Sequence, residues 1–383
     1  MTLSDEQELV HLQNQNLLRS LRTWQTAPSP LLTSLQNESY INFSSNDYLG
    51  LSQHSTLKEA AIKATQNSGT GATASRLVCG TFDCHRELEQ RIAALKESDD
   101  ARVFANGYCT AMGTITALVG KGDTIILDKL SHACLIDASK LSGAQVRVFP
   151  HNNLDRLESI LRTTREKSAK ARILVITESV FSMDGDCCPL LEIIALKNKY
   201  EASLLLDEAH ALGVLGERGL GLAEQLGVQQ DVDLQMGTLG KAAGSAGGYL
   251  AANQTIIDLL TNKARSFIYS TAPPPAQIAA SLAALNLIVS EEGAKLRTRL
   301  FENANAVAIP SPERLSPIIP LILGENEKAL QASEKLSAKG LLVPAIRFPT
   351  VPKGTARLRI TVSAAHTEEH LQKLNQILCE ITG

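Results

Sequence analysis

Five short, β-branched apolar runs punctuate residues 101–207, and a helical pattern follows each of the first four. "ARVFA" precedes "GYCTAMGTITALVG", and "DTIILD" precedes "HACLIDASKL". "QVRVFP" precedes "NLDRLESILRTTREK"; "RILVIT" precedes "PLLEIIALKNKY", and "ASLLLD" closes the series. Strands that are apolar on both faces and joined through helices pair in parallel and are covered on both sides. The expected fold class is therefore α/β, a mostly parallel sheet covered by helices. After about Glu291 the texture changes to a proline-rich connection, "IPSPERLSP", and then "IIPLIL", "NEKALQASEKLSAKG", "LLVPAI", "ARLRITV" and "EEHLQKLNQILCEI". That order predicts a small α+β unit. The first residues read as an amphipathic helix followed by "YINF" and are expected to pack with it. The expected organisation is an N-terminal segment, 1–49, a large domain, 50–290, and a small domain, 291–383.

With 44% hydrophobic and 20% charged residues the chain is of ordinary globular composition, which excludes disorder. Its net charge is −3 and no basic block stands out, so neither nucleic acid nor an anionic membrane surface is an expected partner. The run "PPPAQIAASLAALNLIVS" is alanine-rich and too short to span a bilayer; it reads as a buried helix. "MTLSDEQELV" is acidic and polar, unlike the apolar core of a signal peptide. Seven cysteines, an odd number without a CxxC pair, point to reduced thiols in the cytoplasm.

Ligands of open α/β sheets bind beyond the carboxyl ends of the strands. There the sequence places Asn106, Gly107 and Tyr108; Ser131 and His132; Glu178 and Ser179; Asp207, Glu208 and His210; and Thr238 and Lys241. Each alone reads as a helix cap or a satisfied polar residue. Together they supply an amine, a carboxylate, imidazoles and hydroxyls. Lys241 lies in "GTLGKAAGSAGGYL", where no other charge accompanies it and small residues allow close backbone approach. A lysine amine forms Schiff bases with aldehydes. Pyridoxal phosphate (PLP) requires such a lysine and an acidic partner for its pyridine nitrogen. Its phosphate suits the start of a helix.

Competing motifs fail. A Walker A loop would need glycine where Gln235 stands and Ser or Thr where Ala242 stands. "GTGATA", from Gly69, follows a helical pattern rather than the strand that a dinucleotide fingerprint requires. "HTEEH", His366 to His370, fits a zinc pattern but lacks a third ligand and reads as a helix start, so no metal is expected.

"FSSNDYLGL", "TESVFSMDGD", "DEAHALGVLGERGLG", "GTLGKAAGSAGGY", "RSFIYSTAPPP" and "PTVPKGTARLRIT" resemble, in order and spacing, the α-oxoamine synthases. These are fold-type-I PLP enzymes that condense an amino acid with an acyl thioester and release carbon dioxide. The likeness runs from about residue 40 to 381. It implies a seven-stranded, mostly parallel sheet in the large domain, with PLP as cofactor. Lys241 is then the Schiff-base lysine, Asp207 the partner of the pyridine nitrogen, and His132 the ring that stacks on the cofactor and meets substrate. His210 and Ser179 lie on the phenolic-oxygen side, and Gly107, Tyr108 and Thr238 surround the phosphate. Ser270 and Thr271 are phosphate contacts lent across a homodimer interface. Arg359 grips the amino-acid carboxylate, and Thr350 with Arg22, or alternatively Arg19, contacts the acyl substrate. "SSNDYLGL", "TESVFSMDGD" and "STAPPP" lean toward the biotin-pathway branch, implying L-alanine and a pimeloyl thioester of coenzyme A or a carrier protein. Glycine with an acetyl thioester remains the alternative, as does a catalytically silent partner subunit. The stretch from Gly293 to Pro317 is shorter than the family norm.

Overall fold

The computed structural model describes residues 4–25, 30–310 and 314–382, which divide into two units. The larger comprises Leu51–Ser182 and Asp186–Thr298. The smaller comprises the residues up to Gly50, Met183–Gly185, and Arg299 onward. The helix Glu291–Asn305 begins just past residue 290, and the division between the two units falls inside it, after Thr298.

Seven strands form the sheet of the larger unit: β1 (Asp100–Phe104), β2 (Thr124–Asp128), β3 (Gln145–Phe149), β4 (Ile173–Glu178), β5 (Ser203–Asp207), β6 (Leu234–Thr238) and β7 (Gly248–Ala252). Their order across the sheet is β1-β7-β6-β5-β4-β2-β3. The pairs from β6 to β3 are parallel, whereas β7 runs antiparallel to both its neighbours. The reversal has a simple cause. Only a short loop separates β6 from β7, and a parallel crossover needs a dozen or more residues. All of β4 is buried, and so is β5 beyond Ser203, as befits central strands covered on both faces.

Helices supply that cover. Ile115 from the helix Gly107–Leu118 and Leu135 from Ala133–Leu141 pack into one core with Phe104, Leu127, Leu174, Leu205 and Leu250. The alanine-rich run forms the helix Pro275–Ile288, burying Ile278, Ala284, Leu285 and Ile288. Among the described residues no helix is long and apolar enough to cross a membrane.

In the smaller unit both ends of the chain share one sheet. Ser39–Asn42 pairs antiparallel with Leu31–Thr33 and parallel with Leu341–Leu342. A second sheet sets Ala356–Thr361 between Ile318–Gly324 and Ala345–Ile346. Phe43, Ile319, Leu358, Ile360 and Leu374 form its core. The N-terminal helix Asp5–Asn14 is closed by a capping box between Ser4 and Gln7, yet it buries no residue. Its Leu9 and Val10 are exposed and Leu12 is only half-buried. Residues 311–313 of the proline-rich connection lie outside the described residues. His366 is structural: its Nδ1 accepts from the Ser363 amide at 2.9 Å and its ring stacks on Phe43 at 4.3 Å. No group of three or more His, Cys, Asp or Glu among the described residues is placed to hold a metal.

Candidate active site

The carboxyl ends of β4, β5 and β6 meet the turn after β2 and the helix start after β1 around a cleft of ≈ 180 Å³. Lys241 enters from the loop between β6 and β7, with Nζ 2.7 Å from His210 Nε2. With Nζ as an ammonium, which only donates, Nε2 is the acceptor of this contact. Part of the small-residue run around the lysine is steric in origin. Gly244 has φ +62°, and a Cβ there would lie 2.3 Å from the Ser52 amide nitrogen.

Asp207 ends β5, buried at 5% exposure, and its Oδ1 accepts from the Ala209 amide at 2.9 Å. Burial pushes its carboxyl above the ordinary range, against the opposing charge of Lys241. Directly opposite in the ladder stands Glu178, at 2% exposure, the last residue of β4. Its carboxylate accepts the backbone N–H of His132. Burial first, and then the charge of Asp207, hold the Glu178 carboxyl well above its usual value.

His132 caps the helix Ala133–Leu141: its Nδ1 accepts from the Cys134 amide at 3.2 Å. An amide cannot accept in return, so the neutral ring carries its proton on Nε2. Burial lowers its pKa, favouring that neutral form. Across the cleft, the Asn106 side chain caps Gly107–Leu118 through the Cys109 amide at 2.8 Å. The Gly107 and Tyr108 N–H groups have no intrahelical acceptor. The Tyr108 hydroxyl donates to Asp137 at 2.8 Å. Thr238 also lines the cleft, although its hydroxyl donates to the Gly247 carbonyl at 2.8 Å.

Seven of the expected residues therefore converge: Gly107, Tyr108, His132, Asp207, His210, Thr238 and Lys241. Ser179 is buried behind them, its hydroxyl donating to the Asp207 carbonyl at 3.1 Å. Ser270 and Thr271 do not line this cleft; Thr271 bridges to Ser75. Arg22, Thr350 and Arg359 belong to the smaller unit. There Arg359 is buried, donating to Thr361 Oγ1 at 2.8 Å and to Asn46 Oδ1 at 3.1 Å. Thr350 Oγ1 accepts from Arg19, at 3.4 Å, while Arg22 is exposed. Glu178, Cys134 and Met236 also line the cleft. Sequence reasoning placed Glu178 among the polar strand ends without a role, and Cys134 and Met236 carried no signal.

This donor set fits PLP. Two buried carboxylates share the cleft with Lys241, its one lining lysine or arginine among the described residues. Such a floor favours a ligand that presents a cationic N–H. The open amides at the helix start favour its phosphate.

The family model described as aminotransferase class I and II matches residues 38–378, and the chain belongs to that family. Among curated relatives, the 8-amino-7-oxononanoate synthase of Geobacter sulfurreducens is 44% identical, with 97% of this chain and 96% of the relative covered. Among solved structures, serine palmitoyltransferase from S. paucimobilis with a bound PLP–myriocin adduct superposes at TM-score 0.91. It is 28% identical, covering 98% of this chain and 96% of the other. The 8-amino-7-oxononanoate synthase of Francisella tularensis gives TM-score 0.75 at 28% identity, with 89% and 97% covered.

Proposed function

We infer that this chain is a PLP-dependent acyltransferase of biotin biosynthesis, which condenses L-alanine with a pimeloyl thioester. The products are 8-amino-7-oxononanoate, carbon dioxide and the free thiol carrier. The observation that carries the reading is the juxtaposition of Lys241, His210 and Asp207 at adjacent strand ends. The 44% identity to the Geobacter enzyme supports it.

Lys241 would hold the cofactor aldehyde, Asp207 would meet its ring nitrogen, His210 and Ser179 would serve its phenolic-oxygen side, and the amides of Gly107 and Tyr108 with Thr238 would receive its phosphate. Bound PLP supplies the electron sink that stabilises a carbanion at the alanine Cα. Lys241 Nζ would act as the base for the Cα proton of the amino acid. The buried Asp207 carboxylate holds a proton at the ring nitrogen, in surroundings where charge is felt strongly. His132 would stack on the ring, with its Nε2–H available to the acyl carbonyl. Arg359, with a planar fork suited to carboxylates, receives the alanine carboxylate. Thr350 with Arg19 or Arg22 receives the acyl substrate.

Ser270 and Thr271 lie outside the cleft of their own chain and are assigned to the phosphate of a second copy in a homodimer. We place the chain in the cytoplasm, where its seven cysteines would remain free thiols. Borohydride reduction of the PLP-loaded protein, followed by peptide mapping, tests the assignment. The label is expected on Lys241 alone, and Lys241→Ala should fold, take up PLP without that label, and lose turnover. A label on another lysine refutes the site.

A further inference from the structure

Behind the cleft lies a second cluster of charged groups. Asp128 ends β2 and is fully buried. Its Oδ1 accepts the Leu130 amide at 2.8 Å, and its Oδ2 the Asn152 amide at 3.0 Å. The remaining amides of the turn are also held. Lys129 donates to the Phe149 carbonyl, Ser131 to the Asp128 carbonyl, and His132 to the Glu178 carboxylate. Four successive amides thus fix the turn that delivers His132, two of them through carboxylates at the ends of β2 and β4.

His151 closes this arrangement. Its Nδ1 lies 3.1 Å from Asp128 Oδ1 and its Nε2 2.7 Å from Asp186 Oδ2, while Phe181 packs edge-on at 4.3 Å. Asp186 belongs to the loop after β4: its carbonyl accepts the Phe181 amide, and Asn152 Nδ2 donates to the Cys187 carbonyl at 3.1 Å. Both oxygens of Asp128 already accept from amides, which presents the carboxyl as an acceptor to the ring. Each ring nitrogen of His151 thus has a carboxyl oxygen within donating distance, Asp128 at Nδ1 and Asp186 at Nε2.

We propose that His151 is a positioning residue for this reaction: an imidazolium clamped between Asp128 and Asp186 that holds the His132 turn in one geometry. The proposal rests on the reading above, in which His132 stacks on the bound ring. Burial alone would lower the His151 pKa, but the hydrogen bonds to Asp128 and Asp186 outweigh it and raise it to about 10. Removing the imidazolium leaves the buried Asp128 carboxylate without its cation, which costs more than the pair contributes when intact.

The test has two arms. In the cofactor-free protein, imidazole 15N spectra should show His151 doubly protonated at pH 9. His151→Gln should shift the His132 resonances while leaving those of His85 and His366 in place. In the PLP-loaded protein, His151→Gln should lower kcat at least tenfold, with KM for alanine changed less than threefold and the visible band of the cofactor displaced. His151→Arg, which can still bridge two carboxylates, should recover most of that loss. Asp186→Asn, at the more exposed end of the cluster, guards against misfolding and should lower kcat by a smaller factor. A His151 that titrates near pH 6.5 overturns the proposal, as do folded Gln and Asn variants with wild-type kcat and wild-type band. If the wild type takes up no PLP, the functional reading fails instead, and the cofactor-free spectra still decide whether the clamp exists.

Discussion

Asp207 concentrates the tension between stability and function. Its carboxyl is raised by burial, with Lys241 and His132 acting against that, and the neighbouring Glu178 is raised too. A raised carboxyl pKa means that the folded chain holds protons which the unfolded chain releases. The cofactor-free protein therefore loses stability as pH rises above the ordinary carboxylate value of 3.8 and through the raised one. Asp207→Asn can still accept from the Ala209 amide but carries no charge. We expect its cofactor-free form to be at least as thermally stable as the wild type at pH 8, while Cα-proton exchange from alanine slows on the order of 10²–10³-fold. Wild-type exchange in deuterated buffer would remove Asp207 from its assigned role. A second choice at this scale is between two arginines. Arg19 donates to Thr350 Oγ1 at 3.4 Å and adds to the positive field at Arg347. Arg19→Ala should thus raise KM for the pimeloyl thioester by more than Arg22→Ala does, with kcat little changed; the reverse order restores Arg22.

At the scale of elements, alternating strands and helices were legible because the central strands are buried on both faces and so read as unbroken apolar runs. The reversal of β7 was not, because "GYLAA" follows a glycine-rich loop and its direction depends on that loop's length. The polar strand ends were legible as a set, since seven of the expected site residues line one cleft. The pairing of Glu178 with Asp207 was hidden, since it depends on the register between β4 and β5. The clamp on His151 was hidden for the same reason, joining residues after β2, β3 and β4 that only the sheet brings together. Its pH signature has a definite sign. The His151 pKa rises on folding from 6.5 to about 10. Its contribution to stability is therefore complete below pH 6.5 and fades as pH climbs toward about 10. The difference in melting temperature between wild type and His151→Gln should be largest near pH 6 and shrink steadily toward pH 10. A difference that stayed constant over that range would mean packing, not charge, holds the loops.

For the molecule as a whole, the larger unit carries the cleft lined by Lys241 and Asp207, and the smaller carries Arg359, Thr350 and Arg19. The cofactor cleft is built from groups that any amino acid and thioester would use, so it cannot by itself choose the acyl chain. Selection must come from groups that meet the chain beyond its carbonyl. Pimeloyl exceeds succinyl by three methylenes, and at about 0.8 kcal/mol for each one buried the difference is about 2.4 kcal/mol, roughly 60-fold. Acetyl lacks one methylene more than that and also the distal carboxylate, so its deficit is larger. Alanine differs from glycine by one methyl group, worth about tenfold at the low end of what one methylene contributes in an apolar pocket. We therefore expect kcat/KM, measured by thiol release, to fall from pimeloyl to succinyl to acetyl by at least those factors with alanine fixed. The preference for alanine over glycine should be milder. Running the pimeloyl arm once as the coenzyme A thioester and once on a carrier protein decides the physiological carrier by the higher kcat/KM. Glycine with the acetyl thioester outrunning alanine with either pimeloyl donor would move the chain to another branch of the same chemistry, with Lys241 and Asp207 unchanged in their roles.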